Sequence, residues 1–148
     1  RKDVMFLIIG DGPEKKNLES RIKDQGSERY VRIIGEVPHR DIPMYFRAAD
    51  VFLMPSEEEG FPHVLLEAMA SGVPYVASDV GGVREITPPL LQEYLVPNDD
   101  TDKFVAKIGE LFSLSDTERT EISGAEREWV KRYDVHLILP RFISFFAD

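Results

Sequence analysis

The chain has 148 residues, the length of one domain, so residues 1–148 read as a single domain, with 134–148 as a C-terminal helix or tail. It contains no cysteine, which excludes disulfides, zinc–thiolate centres and iron–sulfur clusters. Eighteen basic residues face 27 acidic ones, a net charge of −9, which argues against nucleic acid or an anionic membrane as the main partner. If the ligand carries phosphate, its attraction must be local.

Five short apolar runs alternate with longer stretches of helical period. The runs are Met5–Ile9, Val31–Ile34, Val51–Met54, Pro74–Ala77 and Tyr94–Val96. They are continuous rather than alternating, which predicts strands buried on both faces. Gly10-Asp11-Gly12 follows the first run, and Pro13 suits a first helical position. Leu18 and Ile22 then lie four apart. Further on, Ile42, Tyr45, Phe46 and Ala49 form a stripe, as do Val64, Leu65, Ala68 and Met69. Phe104, Val105, Ile108, Leu111 and Phe112 make the clearest stripe, with Asp99, Asp100 or Thr101 as its cap. Ser115 and Glu118 form a capping box for a helix carrying Ile122, Ala125, Trp129 and Tyr133. Pro140 interrupts Leu137-Ile138-Leu139, so a helix there is kinked or broken. Phe142, Ile143, Phe145 and Phe146 then make an apolar tail, either packed on its own domain or made for a second surface. Strands alternating with helices predict an α/β fold: Rossmann-like, three-layer α/β/α, with a mostly parallel sheet. No apolar run approaches the ~18–20 residues of a membrane helix. The opening Arg-Lys-Asp is unlike a signal peptide, so a cytoplasmic protein is expected.

Several chemical motifs are weak. Gly10-x-Gly12 lacks the third glycine of a dinucleotide fingerprint, whose place falls at Lys15. It reads better as a tight turn that lets a ligand or loop approach the backbone. Asp100-Thr101-Asp102 has the form of a metal-binding Asp-x-Asp, but helix capping explains it. His39, His63 and His136 have no metal-ligand spacing.

The dense region runs from Pro55 to Pro74: strand, acidic loop, glycine, helix, glycine, strand. The loop follows a strand's carboxyl end, where open parallel sheets bind ligands. A helix starting near His63 or Val64 offers unpaired N–H groups and its positive dipole end to a phosphate. Glu67, one turn in, can accept two hydrogen bonds from a vicinal diol such as a ribose. Glu59 sits in the loop on the far side of the phosphates. The separation of Glu59 from Glu67 carries no weight alone. Five glutamate pairs share it, among them Glu110–Glu118 and Glu118–Glu126, which read as helix surface. Context singles out Glu59 and Glu67.

The segment Glu59-Gly60-Phe61-Pro62-His63-Val64-Leu65-Leu66-Glu67-Ala68-Met69-Ala70-Ser71-Gly72-Val73-Pro74 strongly resembles the donor-site motif of GT-B glycosyltransferases of the family-4 type. The turn Ile8–Pro13, the strands Val31–Val37 and Ala48–Ser56, and the loop Ser78–Glu85 resemble other parts of that family in the same order. The resemblance covers about residues 5–133. It implies the C-terminal half of a two-domain enzyme that retains anomeric configuration. Such an enzyme moves a hexose from a nucleotide-sugar donor to a glycan, lipid or small-molecule acceptor, with no cofactor and no metal. Glu67 would hold the ribose hydroxyls. Amides near Val64 and Leu65 would take the diphosphate. Glu59, the catalytic candidate, would lie against the donor sugar with the backbone of Gly60, Phe61 and Pro62. Residues around Glu36 and Val37 would meet the base, largely through backbone, and Gly12 would be a further substrate-binding residue.

The family's first strand of this domain and its basic phosphate clamp should precede Met5. A fragment is therefore expected, with a gap or substituted edge in its sheet, a separate N-terminal acceptor domain, and self-association through the tail as one outcome. A membrane-peripheral full-length enzyme is the alternative to a fully cytoplasmic one. The alternative function is a non-catalytic GT-B-like binding module.

Overall fold

The computed structural model describes residues 4–138 and 140. Two compact units divide the chain, Arg1–Ile42 and Pro43–Asp148.

In the first unit, β1 (Phe6–Ile9) pairs in parallel with β2 (Val31–Gly35), and α1 (Lys15–Asp24) makes the crossover. The register runs Phe6 to Val31 and Ile8 to Ile33, then shifts so that Ile9 meets Gly35. The left-handed Gly35, at φ +82°, makes that shift possible, and the Gly10 amide donates to its carbonyl at 2.8 Å. Two sequence expectations fail here. The helix begins at Lys15 rather than Pro13, because Gly10–Gly12 and Pro13 are taken up by a turn. In that turn Asp11 accepts from the Gly12 amide at 2.8 Å and from Lys15 Nζ at 3.0 Å. That lysine contact holds the Asp11 carboxyl below its ordinary value. Nor are β1 and β2 buried on both faces: Met5, Phe6, Leu7, Ile9 and Ile34 are exposed. Two strands and a helix with no buried residue cannot cover both faces.

In the second unit, α2 (Ile42–Ala48, its first residue closing the unit before) buries Phe46. Three strands, β3 (Phe52–Met54), β4 (Tyr75–Ser78) and β5 (Leu95–Val96), form one parallel sheet in chain order. Every residue of the central β4 is buried. Between the strands come α3 (His63–Ser71), the short α4 (Val83–Ile86) and a 3-10 helix, Pro89–Tyr94. After them come α5 (Thr101–Phe112), α6 (Asp116–Val130) and a 3-10 turn, Lys131–Tyr133. The core is one cluster built from Met54, Leu65, Met69, Tyr75, Val76, Leu91, Leu111 and Ile122 with their neighbours.

Among the described residues all pairings are parallel, so the expected α/β class holds, with a two-stranded sheet in the first unit and a three-stranded one in the second. Caps agree with the sequence. Asp100 accepts from the Lys103 amide at 2.9 Å, and Ser115 with Glu118 forms the capping box. Gly72 closes α3 in the left-handed conformation. The α5 stripe is narrower than its sequence, because Val105 faces solvent.

Glu126 overturns the reading of a solvated helix surface. Its side chain is fully buried, and neither carboxylate oxygen has a hydrogen-bond partner among the described residues. Burial pushes its pKa up to about 8, with Arg127 pulling slightly the other way. Past Asp134, whose carbonyl accepts from the amides of Leu137 and Ile138, a new helical turn begins. The apolar tail from Phe142 onward lies outside the described residues. Among the described residues no helix is long and apolar enough to cross a membrane.

Candidate functional site

In the second unit the chain leaves β3 at Met54 and runs through the acidic loop to α3. The Ser56 hydroxyl donates to Glu59 Oε1 at 2.7 Å, which ties this carboxylate to the loop's own base. Glu59 is half-buried, whereas Glu57 and Glu58 are exposed as a solvated charge run should be.

Beneath the loop lies a feature missed by sequence reasoning. The Gly82 amide donates to the Glu59 carbonyl at 3.3 Å. A Cβ built on Gly81 would stand 1.7 Å from that carbonyl oxygen, and one on Gly82 would stand 2.3 Å from the Gly60 carbonyl oxygen. Gly81 is also left-handed, at φ +49°. Backbone therefore rests on backbone, and only glycine fits beneath Glu59 and Gly60. The two adjacent glycines in Val80-Gly81-Gly82-Val83 were the available signal. Just before them Asp79 is paired with Arg84, whose Nε donates to Oδ1 at 3.0 Å, and this holds the guanidinium above its ordinary pKa.

The helix α3 starts where the spacing predicts. Pro62, buried and extended, is its N-cap, with no side-chain cap and no acidic residue in the first turn. The Leu65 amide turns back to the Pro62 carbonyl at 3.1 Å. The exposed His63 and Val64 amides meet no acceptor among the described residues. The positive end of the helix is thus left for an outside anion. The Leu65 side chain belongs to the core, and its amide, expected among the diphosphate donors, is already engaged by the Pro62 carbonyl.

Glu67 is half-buried one turn further on. It lines a hollow of about 390 Å³ with Pro43, Phe46, Arg47, Ala70, Ser71 and Arg127. Arg127 is steered there by donating to the Ser71 carbonyl at 2.9 Å. Two guanidinium groups thus share the hollow with one carboxylate.

Phe61, exposed, packs edge-on against His63 at 5.4 Å and against Tyr133 at 5.9 Å between ring centroids. Glu59, Gly60, Phe61, Pro62, Val64 and Glu67 therefore cluster about one loop–helix junction. The remaining candidates belong to the first unit. Gly12, Glu36 and Val37 follow the carboxyl ends of β1 and β2, with Glu36 exposed and Val37 half-buried. Among the described residues no group of three acidic or histidine side chains is disposed to hold a metal ion.

Known proteins share this organisation. A family model described as glycosyl transferases group 1 matches residues 1–129. The sulfoquinovosyl transferase SQD2 of Arabidopsis thaliana is 36% identical over 136 residues, which is 89% of this chain and 26% of that protein. An Anabaena protein, HepE, solved in complex with UDP-glucose, superposes with a TM-score of 0.83 at 26% identity, covering 97% of this chain and 41% of its own. The solved C-terminal domain of a group 1 family protein from Francisella tularensis gives a TM-score of 0.73 at 29% identity, covering 86% of this chain and 68% of its own. The chain spans 24–38% of the length of the first three curated relatives it matches.

Proposed function

The chain belongs to the glycosyl transferases group 1 family, and on that footing we propose that it is the donor-binding half of a retaining GT-B glycosyltransferase. It takes a nucleotide-diphosphate sugar and serves a hexosyl transfer to a glycan, lipid or small-molecule acceptor held elsewhere in the enzyme. The observation that carries this reading is the uncapped start of α3 beside the glycine-seated Glu59 loop.

The division of labour follows from chemistry. As the sugar–phosphate bond breaks, negative charge grows on the departing diphosphate. The His63 and Val64 amides and the helix dipole stabilise it, and preorganised donors of this kind are typically worth ~10²–10³ each in rate. Glu67 accepts hydrogen bonds from the two ribose hydroxyls and so fixes the nucleotide. Glu59, held by Ser56 and by the Gly82 amide, presents its carboxylate to the donor sugar where positive charge develops at the anomeric carbon. The acceptor is supplied by a separate domain, so this chain alone binds donor and transfers nothing. Similarity to HepE, solved with UDP-glucose, supports a nucleotide-sugar ligand.

Calorimetric titration with UDP-, GDP- and ADP-sugars tests the reading. Glu67→Gln is expected to weaken nucleotide binding by about 1–3 kcal/mol. Glu59→Gln is expected to lower turnover of the two-domain enzyme more than nucleotide affinity. Unchanged nucleotide affinity in Glu67→Gln removes that residue from the site.

A further inference from the structure

The Glu59–Phe61 loop has only exposed or half-buried residues, yet its place matters for any reaction at the donor sugar. Its underside rests on Gly81 and Gly82, and Gly82 is the N-cap of α4. The other end of α4 is also anchored. Its last carbonyls would be orphans in a helix of four residues. The Tyr133 hydroxyl donates to the Glu85 carbonyl at 3.2 Å, and Trp129 Nε1 donates to the Ile86 carbonyl at 2.8 Å. Arg132 lies over the Trp129 ring at 3.3 Å and covers that anchor. Tyr133 then does a second thing: its ring meets the Phe61 ring edge-on, with centroids 5.9 Å apart and planes at 65°. A single side chain beyond α6 thus touches the acidic loop directly and holds the far end of the short helix on which that loop sits.

We propose that Tyr133 is a positioning residue for the donor sugar: through Phe61 and α4 it sets where Glu59 and Gly60 stand relative to a nucleotide held by α3. This rests on the donor-site reading and adds to it a division of the site. The nucleotide part depends on α3 and Glu67, which Tyr133 does not touch. The sugar part depends on the loop, which it does.

That division is measurable. UDP, GDP and ADP and their glucose or mannose conjugates are titrated in pairs into the unaltered chain and its variants. The readout is the affinity ratio between a sugar nucleotide and its bare nucleotide, which a merely structural role would leave constant. Loss of an edge-on ring pair corresponds to about two- to tenfold in affinity. Tyr133→Leu is expected to lower the ratio by that factor while bare nucleotide affinity stays within about twofold. Tyr133→Phe keeps the ring against Phe61 and restores most of the ratio. Phe61→Leu removes the same ring pair from its exposed side together with the Phe61–His63 pair, and lowers the ratio by at least that factor even where Tyr133→Leu does not fold. In the double variant the loss is smaller than the sum of the two, because the Phe61–Tyr133 pair is shared. Equal weakening of both ligands, or an unchanged ratio, overturns the role of Tyr133 and leaves the donor site standing. No binding of any pair by the unaltered chain overturns the donor site itself, and this inference with it.

Discussion

Strands β1 and β4 are of equal length and both pair in parallel, yet one is largely exposed and the other wholly buried. Phe6, Leu7 and Ile9 of β1 face solvent; Tyr75, Val76, Ala77 and Ser78 of β4 do not. β4 has a strand on each side, with α5 and the 3-10 helix at Pro89–Tyr94 packed against it. Among the described residues β1 has a single strand beside it and a crossover helix with no buried residue. A strand's stability is thus a property of what covers it, and apolar content alone does not supply the cover. The candidate residues named from the sequence divide in the same way. Glu59, Gly60 and α3 sit on the well-packed unit, where backbone rests on backbone. Gly12, Glu36 and Val37 sit on strand ends of the sparsely packed one.

The sharpest way to break this comparison is through the glycines. Gly81 and Gly26 are both left-handed, at φ +49° and +62°. Gly26→Ala meets nothing within 4 Å, so only conformational strain of about 1–2 kcal/mol is expected. Gly81→Ala adds a Cβ 1.7 Å from the Glu59 carbonyl oxygen. The loop must move, and a total loss above about 3 kcal/mol is expected. Sugar-nucleotide affinity falls with it. Denaturant unfolding and titration of both variants decide the matter; equal costs would mean that the loop does not rest on Gly81.

Core truncation makes the next contrast. Leu111 is fully buried in α5 and Leu7 is 47% exposed in β1. Leu111→Ala is expected to cost about 2–5 kcal/mol. Leu7→Ala is expected to cost less than about 1 kcal/mol, since most of the transfer and cavity terms are missing. A large loss at Leu7 would show that β1 is covered in solution.

These contrasts also mark what the sequence could show. Strand and helix order, the start of α3 at His63, its Gly72 cap and the Ser115–Glu118 box were legible, because each depends on neighbours within a few residues. Burial was not. Phe-Leu-Ile-Ile and Tyr-Val-Ala-Ser look alike as strand formers, and what lies over them is set by residues far along the chain. The places of Glu59 in the loop and of Glu67 one turn into α3 were legible from the strand–loop–helix context. Their support was not, because Gly81, Gly82, Trp129 and Tyr133 reach the loop and α4 across 20 to more than 70 positions. Glu126 misled for the same reason: a glutamate on a polar helix looks solvated until the partner face is known.

Glu126 supplies a pH-dependent test of the packed unit. Its folded pKa, about 8, lies above the ordinary value of 4.5. The folded state therefore holds this proton more tightly than the unfolded state, and the contribution of Glu126 to stability is greatest below pH 4.5. It falls as pH rises to about 8, by up to about 1.4 kcal/mol per unit, and then levels off. Glu126→Met, similar in volume and without charge, is expected to remove this slope. It should stabilise the chain by on the order of 3 kcal/mol at pH 8.5 and by little at pH 5. The difference between the two unfolding curves isolates Glu126 from the other acids and the histidines. A gain independent of pH would mean that the carboxyl is not what titrates.

The smallest contrast concerns helix starts. α6 opens with Ser115 accepting from the Glu118 amide at 3.3 Å while Glu118 accepts from the Ser115 amide at 2.8 Å. The Ser115 hydroxyl, donating to Glu118 Oε2 at 2.7 Å, and after it the Ser115 amide hold the Glu118 carboxyl below its ordinary pKa. α1 opens on Glu14, whose side chain caps nothing. Ser115→Ala is expected to cost about 1 kcal/mol, and Ser115→Gly only a few tenths, because glycine lets water reach the freed amide. Amide hydrogen exchange then reads the two helices side by side. The first turn of α6 should be protected in the unaltered chain and lose about fivefold protection in Ser115→Ala, since about 1 kcal/mol is a factor of about five. The first turn of α1 should exchange freely in both. If α1 is as well protected as α6, side-chain capping does not distinguish the two units, and the contrast between them rests on core packing alone.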